Sequence, residues 1–148
     1  MTVRILVTAA FAAAFLLTSP IQAQQRMAAD DGNYWEVSRI DVLPGQGPAY
    51  IEYLAKEWKK QQEYAKSKGW IVNYRVLSST HARDGEPDLI LITEFKDWPS
   101  NEETKRRDEE YFAWAKSDPY MMAKGAGERG VMRKSMGQTL YQEMILKP

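Results

Sequence analysis

Cysteine is absent from this 148-residue chain, and histidine occurs once, at His81. No disulfide framework can brace the fold, and a zinc site built from thiolates and imidazoles has no first shell to draw on, so no metal is expected. Net charge is missing as well, because 20 Lys and Arg balance 20 Asp and Glu. A neutral, evenly mixed surface lacks the basic excess that phosphate backbones demand, so no nucleic acid partner is expected. The one long apolar run, Ile5 to Leu17, falls short of the roughly 20 residues that span a bilayer. What the chain does have is 44% hydrophobic and 11% aromatic residues, enough for one globular domain with its own core.

The apolar run is placed like the centre of a secretory signal. Arg4 supplies a positive start, Thr18-Ser19-Pro20 breaks the run, and Ile21-Gln22-Ala23 ends on a small residue suited to cleavage. Residues 1–23 are therefore expected to be a signal peptide and the protein to be periplasmic or secreted, with no membrane association after cleavage. An uncleaved inner-membrane anchor is the alternative. Residues 24–32 are polar and rich in small residues, with Asp30-Asp31-Gly32 among them, and read as a flexible leader before a domain at 33–148.

Within that domain, Tyr34 to Leu43 mixes β-branched and aromatic residues with polar ones and reads as a first strand. Pro44-Gly45-Gln46-Gly47-Pro48 stops it, and Pro48 can occupy a first helical turn without sacrificing a needed hydrogen bond. Tyr50, Leu54 and Trp58 then recur at helical spacing, Glu52, Lys56, Lys59, Lys60 and Glu63 fall largely on the other side, and Gly69 suits a left-handed end. Trp70 to Ser79 and Asp88 to Phe95 read as the second and third strands, joined by a hairpin-like loop, Thr80 to Pro87. Ser100 and Glu103 have the spacing of a capping box opening a second helix. Asp118-Pro119 looks like a fresh helix start, whose continuation Gly125, Gly127 and Gly130 are expected to make irregular. Thr139 to Leu146 reads as the last strand.

The order β-α-β-β-α-β predicts an α+β, ferredoxin-like domain: a four-stranded antiparallel sheet with its helices on one face. The third strand is apolar on both sides at Leu89-Ile90-Leu91-Ile92, so the face left open needs a cover, and a second copy of the sheet is the simplest one. Three segments, Val42-Leu43-Pro44-Gly45, Ile92-Thr93-Glu94-Phe95-Lys96-Asp97-Trp98 and Tyr141-Gln142-Glu143-Met144-Ile145-Leu146, carry a resemblance to the dimeric α/β-barrel superfamily, in which two ferredoxin-like protomers join their open sheet faces. The resemblance spans most of residues 33–147 and implies a homodimer. Members of that superfamily include cofactor-independent oxygenases of aromatic substrates, haem-degrading enzymes, muconolactone isomerases and stress-responsive proteins, so it implies a fold and a partner rather than one activity. Haem-degrading members usually take an axial His from a helix; neither predicted helix holds one, and no cofactor is expected.

His81 is the only imidazole and so the obvious proton-transfer group, but it stands in the predicted loop, where histidines are often simply solvated. No Gly-x-Ser-x-Gly elbow exists to present a nucleophilic serine beside it. The strands also carry Glu36, Asn73, Arg75, Glu94 and Glu143 where a covered sheet should be apolar. With a period of two, Asn73 and Arg75 share a face, as do Tyr141 and Glu143. These groups either orient a small ligand, which makes His81, Arg75 and Glu143 the catalytic candidates, or satisfy buried charge at a dimer interface. The resemblance to cofactor-independent oxygenases implies that Trp58, Asn73, Arg75 and Tyr111 line a space between helices and sheet and bind a small apolar or aromatic molecule. Large aromatics at such spacing also fill cores, burying about 150–250 Å² each. Gly125 to Gly130 lacks both the preceding strand and the Lys-Ser/Thr ending of a phosphate loop. Three readings follow: an exported homodimer that binds a small molecule, a non-enzymatic structural or stress-related dimer whose cavity is filled by its own side chains, and a cofactor-independent monooxygenase-like enzyme.

Overall fold

The computed structural model describes residues 28–148, so the expected signal peptide and residues 24–27 of the expected leader lie outside the described residues. Strand β1 (Ala29–Val42) is followed by a helical stretch made of α1 (Gly47–Tyr53), a π-helical segment (Leu54–Trp58) and α2 (Lys59–Ser67). Then come β2 (Asn73–Ser78), β3 (Leu89–Phe95), α3 (Asn101–Ala115), α4 (Pro119–Glu128), a 3₁₀ turn (Arg129–Val131) and β4 (Arg133–Leu146). The strands form one sheet in the order β2-β3-β1-β4, with every neighbouring pair antiparallel. This is the ferredoxin-like α+β arrangement that the element order predicts.

Local chemistry explains most of the boundaries. Pro48 sits in the first turn of α1. Ser100 Oγ accepts the backbone N–H of Glu103 at 3.2 Å, the outgoing half of the expected capping box. The Glu103 carboxylate turns instead to Arg106 Nε at 2.8 Å and Arg107 Nε at 2.6 Å. Those two guanidinium groups hold its carboxyl down at about 2. Asp118 Oδ1 caps α4 by accepting from Met121 N at 2.8 Å. Contrary to expectation, α4 stays regular through Gly125 and Gly127, and the backbone tightens only at Arg129–Val131. A helix interior tolerates glycine at a cost of only about 1 kcal/mol each.

Three strand boundaries differ from the sequence-based ones. β1 begins at Ala29, not at Tyr34, so Ala29–Gly32, expected as leader, belong to the strand; Ala29 lies opposite Leu146 and Asp30 opposite Ile145, and Lys147 N donates to Ala28 O at 2.9 Å. A long partner makes this possible. β4 starts at Arg133 rather than Thr139 and passes through a register shift where Gly137 adopts φ +106°, a value that only glycine takes without strain. β2 is shorter than expected, with Trp70–Val72 outside it.

The register assigns each strand residue to a face. On the helix-covered face lie Glu36, Ser38 and Ile40 from β1, Leu89, Leu91 and Thr93 from β3, and Tyr74 and Val76 from β2. Ile40, Leu89 and Leu91 pack there with Tyr50 and Leu54 to form the core, and Val42, Tyr53, Trp58 and Met132 close around it. The opposite face carries Trp35, Val37 and Arg39 from β1, Ile90, Ile92 and Glu94 from β3, Asn73, Arg75 and Leu77 from β2, and Thr139 and Tyr141 from β4. No helix covers it among the described residues.

Candidate functional site

The open face holds a polar and aromatic cluster at one end. Glu94, only 9% exposed, is its centre. Asn33 Nδ2 donates to Glu94 Oε1 at 2.7 Å, and Arg75 Nη1 lies 3.6 Å from Glu94 Oε2. The Arg75 guanidinium also stands over the Trp35 ring, 5.0 Å from its centroid, a cation–π arrangement that leaves its edge free for the carboxylate. Asn73 pairs across the ladder with Glu94, and its Oδ1 accepts from Lys66 Nζ at 3.4 Å. Nearby, Glu143 lies across Gly32, where an added Cβ would come within 2.9 Å of the Glu143 side chain; glycine leaves the room that this crossing needs.

The helix-covered face holds cavities instead. One of ≈ 240 Å³ lies between α2, α3 and the sheet, with Trp70, Ile71 and Phe95 among its apolar walls. Its polar groups converge from different elements: Glu36 on β1, Thr93 on β3 and Gln62 on α2. Thr93 Oγ1 donates to Gln62 Oε1 at 3.3 Å. Burial pushes the Glu36 carboxyl above the usual carboxylate range, and a hydrogen bond with the Gln138 side chain partly offsets this. At the rim, Arg107 donates to Trp70 O at 3.3 Å and is held by Glu103, so this cation is part of the wall. Stacking fixes the wall further, because Tyr64 lies parallel to Trp114 with centroids 4.0 Å apart and meets Trp70 edge-on at 5.5 Å.

Two further cavities involve the helices. One of ≈ 220 Å³ is lined by Leu54, Trp58, Tyr74 and Val76, and one of ≈ 430 Å³ by Lys60, Tyr111, Trp114 and Lys116. Burial raises the Tyr111 hydroxyl above its ordinary pKa. The Tyr74 hydroxyl donates to Glu63 and is pushed up to about 12, since losing that proton would set two anions side by side.

The four residues expected to line one ligand site are thus divided. Trp58 and Tyr111 stand on the helix side in separate cavities, whereas Asn73 and Arg75 belong to the opposite face of the sheet. Alternation along β2 is the cause: Tyr74, between them, is the residue that meets Trp58, edge-to-face at 5.4 Å. Of the catalytic candidates, Arg75 faces a carboxylate, Glu143 is exposed on β4, and His81 is exposed in the β2–β3 loop, beyond the Ser78–Leu89 pair and so at the opposite end of the hairpin from Asn73 and Glu94. Glu36 was noticeable in the sequence only as a polar strand residue. Its spacing from Ile40 could have placed it on the core side. Among the described residues, no group of three or more His, Asp or Glu could hold a metal, and no helix is long and apolar enough to cross a membrane.

The strand order and the one-sided helix layer define a ferredoxin-like domain, and one solved structure agrees in fold. HapK from Hahella chejuensis is similar to this chain with a TM-score of 0.50 at 7% identity, over 74% of this chain and 91% of that one. Protein SO0527 from Shewanella oneidensis aligns with a TM-score of 0.49 at 14% identity over 79% and 96% of the two chains, and a NipSnap-family protein of unknown function from Agrobacterium tumefaciens at 0.42 and 17% over 78% and 90%. No protein-family model and no curated protein sequence matches the chain. At such identities the likeness to HapK speaks for fold alone.

Proposed function

We propose that this protein is an exported homodimer of the dimeric α/β-barrel type that binds a small apolar or aromatic molecule between helices and sheet. The observation that carries the binding reading is the ≈ 240 Å³ cavity, apolar at Trp70, Ile71 and Phe95 and met by a few convergent polar groups. A dry cavity of about 150 Å³ suffices for benzene, so a singly or doubly substituted ring fits here. Open space of this size counts against a structural dimer whose cavity is filled by its own side chains. The site moves accordingly from Trp58, Asn73, Arg75 and Tyr111 to the residues around Glu36 and Thr93.

The second copy is argued from the other face. Val37, Ile90, Ile92 and Leu77 form an aliphatic surface beside the Arg75–Glu94 pair, and Leu77 is left 47% exposed in the single chain. Joining two such faces would remove this apolar surface from water, each Å² contributing about 25 cal/mol before association costs. Export rests on residues 1–23.

The binding reading is tested by adding toluene to the ¹⁵N-labelled protein. Shifts at Ile71, Thr93 and the Trp70 indole are expected. Shifts elsewhere only, or none, would remove the cavity from consideration. Light scattering on the sized protein is expected to return the mass of two chains.

A further inference from the structure

Glu36 has a position that neither the core nor the open face explains. It stands in the middle of β1, opposite Thr93 of β3 and Leu140 of β4, so its Cβ points into the helix-covered side of the sheet's centre. A carboxylate there would ordinarily be neutralised by a cation or replaced by an aliphatic residue, because burying charge without a partner is costly. No Lys or Arg forms an ion pair with Glu36 among the described residues. The side chain lines the ≈ 240 Å³ cavity, where its neighbours are apolar walls and the Thr93–Gln62 hydrogen bond. Gln138 offers one hydrogen bond, and a carboxylate has about four lone-pair sites.

Resting on the cavity reading above, we propose that Glu36 is the specificity-determining acceptor of this cavity, selecting a small aromatic ring that carries a hydroxyl or ring N–H donor over the same ring without one. The shape of the cavity supplies the aromatic part of this recognition. The acceptor capacity left at Glu36, a half-buried group beside the apolar walls of Trp70, Ile71 and Phe95, supplies the polar part. The guanidinium of Arg107 on the rim is already engaged by Glu103 and by Trp70 O. A carboxylate ligand would meet both Glu36 and Asp108, which also lines the cavity. A neutral donor avoids that repulsion.

Two probes of nearly equal shape separate the ideas: 4-methylphenol and toluene, titrated into the full chain while the resonances of Trp70, Ile71 and Thr93 are followed. The expected result is that 4-methylphenol binds about tenfold or more tightly than toluene, the scale of one hydrogen bond to a charged group. In Glu36→Leu the two affinities should converge; in Glu36→Gln, which keeps an acceptor oxygen and the shape, the ratio should fall only part of the way. Unchanged circular dichroism and amide dispersion in Glu36→Gln show that the fold survives. Equal affinities in the unaltered protein, or a tenfold ratio that persists in both variants, would overturn the role of Glu36 while leaving the cavity as a binding site. Failure of both probes to move these resonances would overturn the cavity and the role of Glu36 together.

Discussion

The two faces of one sheet differ more than any two segments of the chain. On the helix-covered side, Ile40, Tyr50 and Leu54 are 2%, 1% and 4% exposed, while on the open side Leu77 is 47% and Tyr141 51% exposed. β3 contributes to both, alternating Leu89, Leu91 and Thr93 with Ile90, Ile92 and Glu94. The covered side keeps its polarity inside a cavity, at Glu36. The open side gathers its own into a paired cluster, Glu94 with Arg75 and Asn33. A carboxylate with a cation and an amide has its acceptors largely met, whereas one with a single hydrogen bond beside a cavity keeps spare acceptor capacity, which is the basis for the proposed ligand site.

The largest expected effect that sharpens this contrast is Leu54→Ala, which should cost about 2–5 kcal/mol in denaturant unfolding because it leaves a cavity in the core. Leu77→Ala on the other face should cost the single chain far less, and comparable losses at both positions would erase the distinction. Next, Ile92→Lys places a charge in the middle of the open face. It should raise the dissociation constant of the proposed homodimer by at least about tenfold in sedimentation measurements while the helical signal is kept. A variant that remains as dimeric as the parent would show that the copies do not meet there. Arg75→Ala should follow with a loss of about 1 kcal/mol, since Glu94 is left with Asn33 alone and Arg75 is itself partly solvated; Glu94→Gln in the same chain should restore part of it.

A smaller effect belongs to Glu36. Its carboxyl is raised in the folded protein, so the folded state binds this proton more tightly than the unfolded one, and stability falls as pH rises from the ordinary carboxylate value of 4.5 through the raised one. Glu36→Gln should therefore be slightly more stable than the parent at neutral pH and lose that part of the pH dependence. Thermal unfolding across this range reads it directly. An unaltered slope would mean that Glu36 is solvated. The smallest effect is expected for His81→Ala, within about 0.5 kcal/mol of the parent, as for most exposed substitutions.

Several of these features were legible before any coordinates. Pro48, Ser100 and Asp118 mark helix starts through local chemistry alone, because a cap or a missing N–H acts within one turn. The two-sided apolar run of β3 was legible as a strand with apolar residues on both faces of the sheet. The extensions of β1 to Ala29 and of β4 to Arg133 were hidden, since polar residues such as Asp30, Asp31 and Lys134 enter strands only when a partner strand supplies the hydrogen bonds. The regular course of α4 past two glycines was hidden for a related reason: tertiary context overrides a propensity of about 1 kcal/mol.

The candidate site divides in the same way. Alternation along a strand determined from sequence alone that Asn73 and Arg75 point together and that Glu36 points with Ile40. It could not say which of the two directions the helices would cover, because that depends on the handedness of the connections and on the register between strands distant in sequence. The tertiary structure decided that Arg75 shares the uncovered side with Trp35 and Glu94, while Glu36 shares the covered side with Thr93 and Gln62. Strand period and capping are local and written residue by residue; burial is set by what packs on top, and only the folded chain brings those surfaces together.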